Sequence, residues 1–407
     1  MSDSKLLRGR NFLMTPGPSN IPDRVLAAMH RPAVDLVDST FMAVTESCFD
    51  DIARVFRTGS RVFFYASNGH GAWEAALANL VREGDLVLVP TTGLFSQAWG
   101  ELASDLGAEV EELDGDWRSA FDPDRIEDRL RSDRDHRIRA VLAVQTDTAT
   151  SVTSDIAAVR RALDACGHPA LLMADVVASL GTVDFRMDDW GVDVAVAGSQ
   201  KGLMTPPGLA FTAVSPRALE RSRTSGIRRG YWDWQRRMDS EEFYMKFFGT
   251  PPEHLIWGLR EALDMLFEEG LETAFARHRR LASAVHAAVG VWGAAGALEL
   301  NAVNPAERAT SVTTIRVAKG VDSNRLRLLA RDELDVSLGY GLGPLDGKAF
   351  RIGHMGWINE PMVLGALGGV EMAMQARGVP YRKGGVTAAI DTLAAARFPE
   401  ASRANAA

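Results

Sequence analysis

The chain is 407 residues long with 46% hydrophobic and 24% charged side chains, which excludes a largely disordered or low-complexity polypeptide. Its 45 basic and 53 acidic groups leave a formal charge of −8, which weighs against nucleic-acid and anionic-membrane partners. Two cysteines, Cys48 and Cys166, are too few for a disulfide scaffold and form no zinc-binding pair, so two free thiols in a reducing compartment are expected and no metal site is. The residues before Arg10 lack the apolar stretch of a secretory signal, and no run of about 18 apolar residues occurs, so a cytoplasmic protein is expected.

In chain order, residues 62–66 read as a strand and 70–82 as a helix. A second strand at 85–90 precedes helical sequence from Gly93 to Leu106. Asp122 followed by Pro123 is the start signal of a helix reaching Leu130. Residues 139–144 form an apolar strand, 154–165 an amphipathic helix with Ile156, Val159 and Leu163 on one face, and 170–174 and 192–197 two more apolar strands. Strands that are apolar on both faces and separated by helices predict a mostly parallel sheet covered on both sides, an α/β architecture. From Pro252 the pattern becomes one long helical region to about Val289, followed by strands at 311–317 and 349–353 and a helix at 362–377, an α+β mixture. The domains expected are an amino-terminal arm over 1–21, a large domain over 22–272 and a smaller one over 273–395. The alanine-rich sequence after Ala388 is expected to fray, ending in a loose tail over 396–407.

Four features carry chemistry. The turn Ser67-Asn68-Gly69-His70-Gly71 leaves a strand and opens a helix, which aims backbone N–H groups at one point; it is neither a Walker A loop nor a GxGxxG fingerprint. Asp175 ends the 170–174 strand, at the sheet edge where α/β folds bind ligands, and could hold a ring nitrogen protonated. Lys201, among small residues after another buried strand, could be desolvated into an imine-forming nucleophile. Arg351 offers a fork for a carboxylate. Each alone has an ordinary structural explanation: a Gly-rich turn, a helix cap, a surface lysine, a salt bridge. Together they match what a pyridoxal phosphate site requires.

On these residues, and on the run from Met187 to Pro207 that contains Ser199-Gln200-Lys201-Gly202, the chain resembles class V aminotransferases of fold type I, in particular the alanine/serine–glyoxylate aminotransferase group. The resemblance spans nearly the whole chain, from Thr15–Pro22 to the Arg351 motif. It implies a seven-stranded-type, mostly parallel sheet in a large domain and a smaller carboxy-terminal domain. It implies pyridoxal 5′-phosphate bound as a Schiff base on Lys201, with Asp175 on the ring nitrogen and Val177 on a ring face. It likewise implies Phe95 stacked on the ring, Thr148 near the phenolic oxygen, and Asn68, Gly69, His70 and Gln200 at the phosphate. A homodimer follows from it, with Thr250 of one subunit completing the other's phosphate site, and Arg351 takes the substrate carboxylate.

The implied reaction moves an amino group from alanine or serine to glyoxylate or pyruvate. Aspartate– or ureidoglycine–glyoxylate transamination, a lyase, and a catalytically silent binding protein are the competing readings. A desulfurase would need a cysteine on a loop beside the site, and neither cysteine is so placed in the sequence. Four departures from the family pattern stand out: the run Asp147-Thr-Ala-Thr-Ser151, Phe247 where a tyrosine often donates to phosphate, Trp357 after the Arg351 motif, and the segment 30–38. The aromatic run Tyr231-Trp-Asp-Trp234 belongs either to the core or to a dimer interface.

Overall fold

The computed structural model describes residues 9–224 and 230–398; the outermost arm and the end of the expected tail fall outside them. The chain divides into two compact units.

The larger unit comprises Ile21–Phe275 and Ala302–Arg308. Its sheet has seven strands: β1 (Arg61–Tyr65), β2 (Leu86–Pro90), β3 (Glu109–Leu113), β4 (Ile138–Val144), β5 (Leu171–Asp175), β6 (Val194–Gly198) and β7 (Ala210–Val214). They lie in the order β1-β7-β6-β5-β4-β2-β3, parallel except for β7, which runs antiparallel to both neighbours. β2, β5 and β6 are buried along their whole length, which is why they read as unbroken apolar runs. β3 carries three glutamates on a largely solvated edge and so shows no apolar signature, whereas β7, which follows Pro206-Pro-Gly208, is buried throughout with Thr212 at its centre.

Side chains alternate across the sheet. Phe64, Leu88, Val141, Leu172 and Phe211 join one core with the helices Ser39–Phe56 and Glu253–Glu269; Phe63, Tyr65, Val89, Leu142 and Met173 join the other with the helices Gly69–Leu80 and Leu94–Asp105. Burying each such side chain stabilises the fold by roughly 1.5–3 kcal/mol. Trp234 is fully buried, stacks on Phe63 at 5.5 Å and donates from Nε1 to the Tyr65 hydroxyl at 2.7 Å. That resolves the aromatic run, at Trp234, as intrachain core. Phe247 is buried with its ring 6.2 Å from that of Phe49 and 6.4 Å from that of Phe64.

The expected single helical region from 252 is two helices, Glu253–Glu269 and Leu271–Gly293. Gly270 separates them with φ 83°, a left-handed conformation that glycine adopts at little cost.

The smaller unit gathers the described residues up to Asn20, Ala276–Asn301 and those from Ala309 onward. Its five strands lie in the order Phe12–Met14, Val336–Tyr340, Ala349–Gly353, Val312–Val317, Leu298–Leu300. Most of the helix Leu271–Gly293 and the helices Ser323–Leu334, Glu360–Ala376 and Gly385–Arg397 complete it. The last of these corrects the expected fraying after Ala388. Ala389 and Leu393 are buried on one face of that helix, and alanine, the best helix former, favours it. Among the described residues no helix is long and apolar enough to cross a membrane.

Candidate active site

The parallel strands deliver their carboxy-terminal ends to one edge of the larger sheet. β7 sets the spacing there, because its first residue, Ala210, pairs with Tyr65 at the end of β1 and with Gly198 at the end of β6. The turns that follow β1 and β6 therefore meet. A Cβ on Gly198 would lie 3.6 Å from the Gly69 nitrogen, and one on Gly69 would lie 3.0 Å from Val177. The structure thus brings Gly69, Val177 and the Gly198-Ser-Gln-Lys201 turn into one cluster.

Asn68 caps the helix Gly69–Leu80: its Oδ1 accepts from the His70 and Gly71 N–H groups at 3.1 and 3.3 Å. Part of the donor capacity expected at this turn is therefore satisfied by the turn itself. The Gly69 N–H has no acceptor among the described residues. Lys201 sits in a loop closed by its own bonds, from Ser199 Oγ to the Pro206 carbonyl at 2.7 Å and from Thr205 Oγ1 to the Ser199 carbonyl at 3.0 Å. Gly202 lets this loop pass the Leu180 carbonyl, which a Cβ would approach to 2.2 Å. Beside it, Gln200 Oε1 is buried without a hydrogen-bond partner.

Asp175, 3% exposed, accepts at Oδ1 from the Val177 N–H (2.6 Å) and at Oδ2 from Trp73 Nε1 (2.9 Å). Burial pushes its carboxyl up to about 7; those two donors pull it back, Asp147 adds to the rise and Lys201 opposes it. Desolvation and then the charge of Lys201 hold the His70 imidazole below its ordinary value. The same interactions show that Asp147, Asp175, Lys201 and His70 share one electrostatic environment.

The buried carboxylate of Asp147 accepts at Oδ2 from the N–H groups of Phe95 (2.8 Å) and Ser96 (3.3 Å), at the start of the helix Leu94–Asp105, and at Oδ1 from Ala149 (2.9 Å). It ties the turn carrying the buried Thr148 to the helix carrying Phe95. Gly93 makes room for it, since a Cβ there would stand 2.5 Å from the Asp147 carboxyl carbon. Gly93→Ala is accordingly expected to destabilise the protein by about 1–3 kcal/mol in chemical denaturation and to weaken cofactor retention; an unaltered midpoint would contradict this contact.

Thr250 is exposed, and among the described residues no hydrogen bond or ion pair joins it to the cluster. Arg351 belongs to the smaller unit. There it is 6% exposed, donates from Nε to the Tyr340 carbonyl at 2.7 Å, and lies 5.8 Å from the Tyr340 ring. The Thr15–Pro16 backbone presses on the same strand, where Gly353 leaves no space for a Cβ.

Residues 12–343 match the family described as aminotransferase class-V. The chain belongs to the class-V aminotransferases. It is 43% identical to a serine–glyoxylate aminotransferase of Methylorubrum extorquens, over 95% of this chain and 96% of that one. It is 42% identical to an L-aspartate–glyoxylate aminotransferase of Paracoccus denitrificans, over 94% and 96%. Among solved structures it superposes on ureidoglycine–glyoxylate aminotransferase from Bacillus subtilis with a TM-score of 0.87 and 28% identity, over 95% of this chain and 99% of that one.

The aminotransferase is thus a transaminase of fold type I, dependent on pyridoxal phosphate. The residues present fit that cofactor: an N–H on Gly69 with no acceptor among the described residues, a buried carboxylate on Asp175 and an amine on Lys201 at one sheet edge. Sequence reasoning missed Trp73. Its signal was a single large aromatic within the small-residue helix Gly-His-Gly-Ala-Trp-Glu-Ala-Ala, four positions after Gly69.

Proposed function

We propose that the aminotransferase moves the amino group of a small amino acid, serine or alanine, to a short 2-oxo acid such as glyoxylate or pyruvate, with Lys201 as its Schiff-base residue. The observation that carries this reading is the meeting of the Gly69 and Lys201 turns beside the buried Asp175. Bound pyridoxal phosphate supplies an electron sink for the substrate's α-carbon. Asn68, Gly69, His70 and Gln200 bind its phosphate, Thr148 and Phe95 orient its ring with Val177 on one face, and Asp175 holds a proton on its ring nitrogen. Lys201 Nζ takes the α-proton of the amino acid and returns a proton on the other side of the transfer. The relatives described above support glyoxylate as acceptor but differ in donor, so aspartate and ureidoglycine are the alternatives to test. Spectral half-reactions with serine, alanine, aspartate and ureidoglycine, each reversed by glyoxylate, decide among them; bleaching by neither serine nor alanine would overturn the proposed donor.

Arg351 is proposed to grip the carboxylate common to donor and acceptor, its guanidinium oriented by the Tyr340 carbonyl. Arg351→Ala is expected to raise KM for both substrates roughly 10–100-fold in steady-state kinetics while leaving cofactor absorbance intact. An unchanged KM would remove Arg351 from the site.

We also infer a cytoplasmic homodimer in which Thr250, exposed and unconnected to its own cluster, completes the phosphate site of a second subunit. A monomer in light scattering would exclude it. The desulfurase reading finds no support: Cys48 is buried within a helix, where burial pushes its thiol up to about 12, and Cys166 ends a helix with its thiol likewise raised by burial.

A further inference from the structure

We propose that Trp73 is a positioning residue for the transamination, its indole N–H fixing the Asp175 carboxylate and favouring the anionic form that serves the cofactor's ring nitrogen. The inference rests on the reading of Asp175 given above and adds to it the group that makes Asp175 usable.

A carboxylate 3% exposed has lost nearly all its water, so its ionised form depends on the donors that replace it. Asp175 has two. One is the Val177 N–H on Oδ1, supplied by the turn two residues along the backbone. The other, on Oδ2, comes from Trp73, far away in sequence on the helix Gly69–Leu80. The charged groups facing this carboxylate are Asp147 after β4, which opposes ionisation, and Lys201 after β6, which favours it. From the helix side the neighbouring titratable group is His70, held below its ordinary value. Among the described residues the indole is therefore the one side-chain hydrogen bond that favours the anion.

The indole is also held in place. Trp73 is 2% exposed, stacks on Trp99 at 5.7 Å with an interplanar angle of 15°, and has the His70 ring at 4.5 Å and the Phe95 ring at 6.4 Å. Trp99, packed just as tightly, has a buried Nε1 with no acceptor among the described residues. The two stacked tryptophans thus separate packing from hydrogen bonding: both fill the core, and only Trp73 donates to Asp175.

That contrast supplies the experiment. Apoprotein labelled with 13C-aspartate is titrated by infrared spectroscopy, with Asp175→Asn identifying the Asp175 band, and Trp73→Phe is compared with Trp99→Phe. The Asp175 midpoint is expected to rise by about one pH unit in Trp73→Phe and to stay within a few tenths in Trp99→Phe. In the loaded protein, the acidic limb of kcat/KM is expected to move upward by a similar amount in Trp73→Phe only. If Trp73→Phe fails to fold, 3-benzothienylalanine at position 73 keeps the bicyclic shape and removes only the N–H. An unmoved titration, or equal shifts in both tryptophan variants, overturns the role of Trp73 even if Asp175→Asn is inactive. Full activity of Asp175→Asn overturns instead the reading of Asp175 on which the proposal rests.

Discussion

Lys201→Ala is expected to fold, to show no visible absorbance from a covalently held cofactor, and to lose at least ~10⁴-fold in turnover. Two losses combine: the covalent attachment and the group that moves the α-proton, which alone contributes typically 10²–10⁴-fold. The variant should still fold because the loop around Lys201 is closed by the side-chain bonds of Ser199 and Thr205 and packed through Gly202. Added primary amines should restore part of the turnover by replacing the missing base. Retention of the visible band in Lys201→Ala would overturn the assignment.

Asp175→Asn is expected to lower turnover by roughly 10²–10³-fold, the size seen when one preorganised electrostatic group is removed from a site. Its effect on the apoprotein has the opposite sign and depends on pH. The folded Asp175 carboxyl titrates at about 7, chiefly because of burial, whereas in the unfolded chain it titrates near the usual ~4. Between those values the folded protein holds a proton the unfolded chain has lost. This contribution to stability is fully present below about pH 4, declines as pH rises toward 7, and is absent above it. At pH 8 the ionised, buried carboxylate leaves the wild-type apoprotein weaker by up to about 4 kcal/mol, a penalty the asparagine avoids. The variant should therefore outlast the wild type at pH 8 and match it near pH 4. A stability difference independent of pH would show that Asp175 is not raised.

The elements that sequence reasoning located share a physical cause. β2, β4, β5 and β6 are covered on both sides, so their apolar runs are continuous and stand out from the amphipathic helices between them. Asp175 and Lys201 were legible because each follows such a run, and strand ends are where this architecture exposes functional groups. The strand Glu109–Leu113 and the helix Ser323–Leu334 were not, since edge strands and solvated helices carry charge at many positions and blur the period. The helix Gly385–Arg397 was misread because an alanine-rich segment is as compatible with a fraying tail as with a packed helix until Leu393 finds a core.

By itself the sequence determined the class of architecture, the family and the residue types from which a cofactor site is made, because those depend on local pattern and on motifs contiguous in the chain. Only the tertiary structure decided how the pieces face one another. The register of β7 with β1 and β6 sets Gly69 against Gly198. The packing of the helix Gly69–Leu80 carries the Trp73 N–H to Asp175. Phe247, a departure expected to leave a hydrogen bond missing, lies in an aromatic core with Phe49 and Phe64. The composition that began as a net charge of −8 contains a carboxylate whose usefulness depends on one indole. A hydrogen bond between residues distant in the chain is recorded by neither residue's neighbours in sequence, because its energy depends on a distance that only folding defines.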